Sequence, residues 1–319
     1  MTSVGLVLGA GGIVGGAYHA GALAALAEAG FDARHADVIV GTSAGSVIGA
    51  ALRAGLSPDD QFARATQRPL SSAGERIVGG LAAVTELPPR GSVRRGLPVP
   101  VAPGLAATAL LPPWNARPGA ALAGLLPAGA VPTAMIGDRI RAMLGDAWPS
   151  DPLWITALRL RDGARVVFGR DDIETPDVGT AVEASSAIPG YLTPVRVDDD
   201  CFVDGGAHSP TNADLVADLG LDVVVVISTM SAPWTALRPV PSIGSRALAS
   251  WVLEREVRAI RAGGSDVLVL QPSADDLRVM GYSSMDASRR STVAEQARST
   301  TAQRLEHPAA TELVARLNS

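Results

Sequence analysis

Residues Gly41-Thr42-Ser43-Ala44-Gly45 join a short apolar run, Val38-Ile39-Val40, to a small-residue stretch, Ser46-Val47-Ile48-Gly49-Ala50-Ala51-Leu52. The pattern predicts a strand, an abrupt turn and a helix. With Ser43 at the apex and Gly41 and Gly45 on either side, strand and helix can approach closely. The serine can then take the strained conformation of a nucleophile elbow. The same residues also suit a plain turn in which the serine caps the helix, and the pattern leaves both readings open. In either case a strand feeding directly into a helix points to a layered α/β architecture.

The N-terminus supports that architecture. Residues 4–8 read as a buried strand, Gly9-Ala10-Gly11-Gly12-Ile13-Val14-Gly15-Gly16 as a loop, and 17–29 as a helix closing at Gly30. The expected fold class is therefore α/β, a mainly parallel central sheet flanked by helices. Further strands are expected at 153–160 and 165–168 (a hairpin around Asp162-Gly163), 201–203, 222–228 and 266–270. Helices are expected at 58–66, 133–144, 177–185, 242–262 and over most of 291–318. Hydrophobic residues make up 47% of the 319 positions, ample core for a single domain spanning 1–319. Residues 71–132 interrupt the pattern. They are rich in Pro, Gly, Ala and Leu, too apolar for a solvated linker and too broken for long helices. Two readings stand: a cap or lid inserted over the site, with short helices at 105–111 and 120–126, or a connector packed on the core. Arg90, Arg94 and Arg95 in it would suit an anionic headgroup or equally form a solvated face.

The glycine-rich loop does not match a dinucleotide fingerprint. That motif needs G-x-G-x-x-G and an acid at the end of the second strand. Here the sixth position from Gly9 is Val14, and the second strand ends in the serine turn. A nest of backbone N–H groups at a helix N-terminus fits better. It would share the carboxyl edge of a parallel sheet with Ser43, as an oxyanion hole faces a nucleophile.

Other classes are disfavoured. A net charge of −5 does not suit a nucleic-acid binder, and the 27 basic residues are all arginine, a compositional bias without functional meaning. Cys201 is the single cysteine, and the four histidines lack ligand spacing, so neither metal nor cofactor is expected. No secretory signal or spanning segment stands out, and a cytoplasmic location is expected.

A serine nucleophile needs a base. His19 falls on the first helix, His35 in a loop before the second strand and His307 on the terminal helix, which leaves His208, four residues after Asp204, as the candidate histidine. A shared short turn is a poor frame for a Ser-His-Asp triad. Asp204 itself ends an apolar strand and precedes Gly205-Gly206. It could reach the edge that carries Ser43, with burial tuning it as a base. Asp-Gly-Gly is also a common plain turn.

Taken in order, Leu8-Gly9-Ala10-Gly11-Gly12-Ile13-Val14-Gly15, Gly41-Thr42-Ser43-Ala44-Gly45-Ser46 and Asp204-Gly205-Gly206 resemble the bacterial patatin-like phospholipase family. Ala184-Ser185-Ser186-Ala187-Ile188-Pro189-Gly190 extends the resemblance, which spans about residues 4–228 apart from the Pro-rich segment. It implies a lipid acyl hydrolase with a Ser–Asp dyad. Ser43 would be the nucleophile, Asp204 the base, and the Gly11 and Gly12 N–H groups the oxyanion hole. Gly15, Gly41, Gly45, Gly205 and Gly206 would support these motifs. The partners implied are phospholipid or other lipid esters, with peripheral membrane contact. The family's loop usually reads Gly-Gly-Gly-x-Arg/Lys-Gly. Here Ala10 replaces the first glycine and Val14 the basic residue. The Val14 departure motivates the alternative of a catalytically weak lipid- or partner-binding protein, and His208 that of a triad esterase.

Overall fold

A computed structural model describes residues 2–79, 99–110, 118–171, 176–236 and 243–318. Its strands are β1 (Val4–Leu8), β2 (Val38–Gly41), β3 (Leu153–Arg159), β4 (Arg165–Phe168), β5 (Val195–Val197), β6 (Asp200–Asp204), β7 (Val223–Ile227) and β8 (Asp266–Leu270). The helices are α1 (Gly12–Glu28), α2 (Ala44–Arg53), α3 (Pro58–Ala65), α4 (Ser72–Val78), α5 (Pro103–Ala106), α6 (Pro118–Leu125), α7 (Ala134–Leu144), α8 (Val178–Ser186), α9 (Ile243–Ala262), α10 (Ala274–Met280), α11 (Arg290–Leu305) and α12 (Pro308–Leu317).

All eight strands belong to one sheet, with the path β5-β6-β3-β2-β1-β7-β8 and β4 beside β3. β3, β2, β1, β7 and β8 are mutually parallel, and β4, β5 and β6 add an antiparallel flank. Successive side chains of a strand point to opposite faces. Leu6, Leu8, Ile39, Val225 and Ile227 therefore face α1 and α11, while Val7, Val38, Val40, Val224 and Val226 face Leu253, Val257 and Ile260 of α9. The sheet is covered on both sides, so β7 is a continuous run of buried valine and isoleucine.

Helix α1 starts at Gly12, ahead of the expected residue 17, and carries Gly15 and Gly16 inside it. Its apolar positions from Val14 to Leu26 are buried nearly all round, and that packing overrides the poor helix propensity of glycine. The described part of 71–132 forms α4, α5 and α6. Leu105, Ala120 and Ala123 of α5 and α6 pack on Leu158 of β3 and Val203 of β6. Arg90, Arg94 and Arg95 lie outside the described residues. No helix among the described residues is long and apolar enough to cross a membrane.

Candidate active site

The site forms where two strands meet end to end. One edge of β3 is taken by β4, which pairs with Ile155, Thr156, Ala157 and Leu158. The other edge is shared: β2 runs parallel along it as far as Gly41 opposite Ile155, and β6 runs antiparallel as far as Asp204 opposite Ala157. The carboxyl ends of β2 and β6 thus converge on Thr156. The chain beyond β2 is Thr42-Ser43, so topology alone brings Ser43 and Asp204 to one point.

Ser43 takes φ 53° and ψ −118°, a conformation costing a non-glycine residue about 1–3 kcal/mol. Hydrogen bonds hold it there. Its N–H donates to Ser185 Oγ at 2.8 Å, and its carbonyl accepts from Ser46 N–H at 2.9 Å and Ser46 Oγ at 2.6 Å. The Ser43 side chain does not cap α2, which removes the capping alternative. Gly45 is required by close approach, because a Cβ there would lie 2.0 Å from the Leu8 carbonyl oxygen. At Gly41 it would lie 2.5 Å from Ser46 Cα, so the turn closes only without side chains at both positions.

Asp204 is buried, and its carboxyl is pushed up from 3.8 to about 6. Loss of hydration is the main cause. Interaction with the Ser43 hydroxyl and a 2.7 Å bond from Gly206 N–H to Oδ1 pull the other way. Gly205 opens the short 3-10 turn after it and packs against Thr156. The histidines stand apart from this pair. His208 is exposed, with Asp214 the acid it influences. His35 and His307 are exposed too. His19 is fully buried, held neutral with a pKa lowered to about 4 by loss of hydration, and its Nε2–H donates to the Gly9 carbonyl at 2.7 Å.

That bond is one of several that shape the glycine-rich loop. Gly9 N–H donates to Ile227, Ala10 N–H to Pro210 at 2.7 Å, and Thr229 Oγ1 to the Ala10 carbonyl at 2.5 Å. Gly15 N–H closes the first turn onto the Gly11 carbonyl. Gly12 has φ 61°, the left-handed region that favours glycine. The N–H groups of Gly11 and Gly12 have no acceptor among the described residues, and neither has that of Ala44 beside Ser43. Val14 is buried, 2% exposed, with its side chain in the main core.

Beneath the pair lies a polar network that sequence reasoning missed. Thr42 and Thr156 share a hydroxyl bond, and Asn212 Nδ2 reaches both of them and the carbonyls of Gly205 and Ser209. Glu256 of α9 accepts from Ser209, Thr211 and the Ala213 N–H, fixing the loop after Asp204. Its carboxyl is also raised by burial. One signal was readable: the spacing Leu253, Glu256, Val257, Ile260 puts the acid on the apolar face of a helix.

Ser43 and Gly12 open onto a cavity of about 240 Å³. Ile13, Val47, Ile136, Met143, Ile188 and Leu192 make it largely apolar, the lining an acyl chain requires. A model of the patatin-like phospholipase family matches residues 6–217, more than half of the chain. The chain belongs to the patatin-like phospholipase family. The family is one of lipid acyl hydrolases. The match contains the glycine-rich loop, Ser43 and Asp204, and it ends ahead of β7. The structure of VipD from Legionella pneumophila is similar at 15% identity with a TM-score of 0.42. That similarity covers 96% of this chain and 66% of the other, so the chain spans just under two thirds of the length of VipD.

Proposed function

We propose that this patatin-like protein is a serine acyl hydrolase that cleaves carboxylic esters of lipids through Ser43 and Asp204. The observation that carries the reading is the pairing of a strained serine, which opens onto an apolar cavity, with a buried carboxylate whose pKa is raised by loss of hydration. Asp204 takes the proton of the Ser43 hydroxyl as Oγ attacks the ester carbonyl. The Gly11 and Gly12 N–H groups receive the oxyanion. Collapse breaks the acyl–oxygen bond, and the proton on Asp204 passes to the departing alcohol. The acyl group remains on Ser43. Asp204 then takes a proton from a water that attacks the acyl-enzyme; the acyl–Oγ bond breaks, the proton passes from Asp204 back to Ser43 Oγ, and the fatty acid leaves.

A carboxyl at about 6 suits both halves of this cycle, because it is ionised at neutral pH yet close enough to return a proton. The described residues 71–132 contribute nothing to the cavity lining, so a capping role for the segment rests on its position in the chain alone. The experiment is labelling with a fluorophosphonate followed by peptide mapping. Covalent modification of Ser43, absent from Ser43→Ala and slowed in Asp204→Asn, is the expected result. An unlabelled Ser43, in conditions that label a serine esterase, would overturn the reading.

A further inference from the structure

The cavity beside Ser43 carries charge that acyl transfer does not use. Arg64 of α3, Arg139 of α7 and Arg290 at the start of α11 all line it, and among the described residues no aspartate or glutamate does. Arg64 and Arg139 make no side-chain hydrogen bond or ion pair among the described residues. Both guanidinium groups are held below the usual arginine range, first by burial and then by neighbouring positive charge, Arg139 and Arg290 acting on Arg64 and Arg290 acting on Arg139. Arg64 and Arg139 thus bring two positive charges to one apolar cavity beside a third, and neither of the two is paired with an acid among the described residues, an arrangement that a bound anion would relieve.

Two further groups point to a ligand. Gln61, one helical turn before Arg64, is 4% exposed, lines the same cavity and has no partner for Oε1. Ser186 is 6% exposed, lines the cavity and has no partner for Oγ. Buried polar atoms are rarely left unpaired. Hydroxyls of a polyol and oxygens of an anion would pair with them. Among the described residues no aromatic ring lines the cavity to seat a quaternary ammonium.

We propose that Arg64 and Arg139, with the positive charge of Arg290 beside them, form an oxyanion subsite that selects acyl esters whose alcohol portion carries a phosphate monoester, over neutral and zwitterionic esters. As a statement about turnover this rests on the hydrolase reading above; as a statement about binding it does not.

Three substrates with the same chain test it: oleoyl glycerol phosphate, monooleoylglycerol and oleoyl glycerophosphocholine. The expected kcat/KM for the first exceeds the others by on the order of tenfold, the worth of one charge-assisted contact. The preference falls toward parity in Arg64→Gln and Arg139→Gln. Parity in the unmodified protein, or a preference unchanged in both variants, would overturn the subsite. Both variants remove a like charge, so their ligand-free Tm should hold or rise; a fall in both would make the arginines structural and count against the proposal. Binding is read separately on Ser43→Ala. Oleoyl glycerol phosphate should raise its Tm, monooleoylglycerol should not, and adding Arg139→Gln should abolish the shift. This arm decides the subsite even where none of the three esters is cleaved, an outcome that would sink the hydrolase reading instead. Inorganic phosphate should compete with oleoyl glycerol phosphate and leave monooleoylglycerol turnover alone. Phosphate binding without any lipid preference would assign the subsite to the free ion and overturn it.

Discussion

Thr42 and Thr156 share a 2.9 Å hydrogen bond between their hydroxyl oxygens. It ties the residue before Ser43 to the one β3 residue between the ends of β2 and β6. Neither threonine touches a reacting atom in the proposed reaction; together they set the spacing of Ser43 and Asp204. Thr156→Val keeps the shape and deletes the hydroxyl. The expected result is a loss of roughly 1–2 kcal/mol of stability, read by denaturant unfolding. On an acyl ester, kcat should fall about tenfold with KM little changed, since a misplaced nucleophile affects the transition state more than substrate binding. Thr156→Ser retains the hydroxyl and should retain both quantities. A Val variant with unaltered kcat would show that the spacing is fixed elsewhere.

Asp204 should hold activity and stability in opposition. Its folded pKa, about 6, lies above the ordinary 3.8. Between those values the folded protein keeps a proton that the unfolded chain has released, so this group's contribution to stability falls as pH rises through the window. Above about pH 6 the buried carboxylate costs roughly 3 kcal/mol. Asp204→Asn should therefore raise Tm at about pH 8 and change it little near pH 4. The same change should lower acyl-ester turnover by roughly 10²–10⁴, the usual contribution of a general base. In the unmodified protein the acid limb of kcat/KM should fall with an apparent pKa near 6. A Tm that drops at alkaline pH in Asp204→Asn would contradict the burial argument.

His19 titrates in the opposite sense. Its folded pKa, about 4, lies below the ordinary 6.5, so as pH falls through 6.5 the unfolded chain takes up a proton that the folded protein refuses. Stability is lost progressively down to about pH 4, by roughly 3 kcal/mol in all. In the unmodified protein the two buried groups largely offset one another between about pH 4 and 6. His19→Gln keeps an N–H for the Gly9 carbonyl and cannot titrate. It should become more stable than the parent on acidification, while Asp204→Asn should become acid-labile. Chemical denaturation across pH reads both slopes, and parallel slopes in the two variants would refute the assignment.

The parts of this site that the sequence made legible are local. Gly41-Thr42-Ser43-Ala44-Gly45 reads as a sharp strand-to-helix turn because neighbouring residues dictate it. Asp204 became a candidate base through the order of its motifs, while its own residues also suited a plain turn. What stayed hidden depends on distant pairings. That β2 and β6 share one edge of β3 follows from registers at Ile155 and Ala157, which no local pattern encodes. Asn212, Ser185 and Thr156 matter through contacts across many residues, and their types are common in ordinary loops. Helix α1 begins at Gly12 rather than at the expected residue 17: Gly15 and Gly16 weaken the local helical signal, and tertiary burial supplies what propensity withholds. The three-residue strand β5 is too short for an alternation to register.

Val14 is where the glycine-rich loop departs from the usual family pattern, and its environment decides what a repair would do. The side chain sits in the main core at 2% exposure, and its N–H donates to the Ser284 carbonyl at 2.9 Å. An arginine introduced there would have to bury its charge without a partner or push its way out between α1 and its neighbours. Burying an unpaired charge commonly costs several kcal/mol. Val14→Arg should therefore lower Tm markedly and give no gain in acyl-ester turnover, while Val14→Ile should be nearly neutral on both. A stable, more active Val14→Arg would mean that the side chain can reach the oxyanion loop after all. In that case positive charge beside Gly11 and Gly12, supplied in this chain by no neighbouring residue of the loop, would be what limits the reaction.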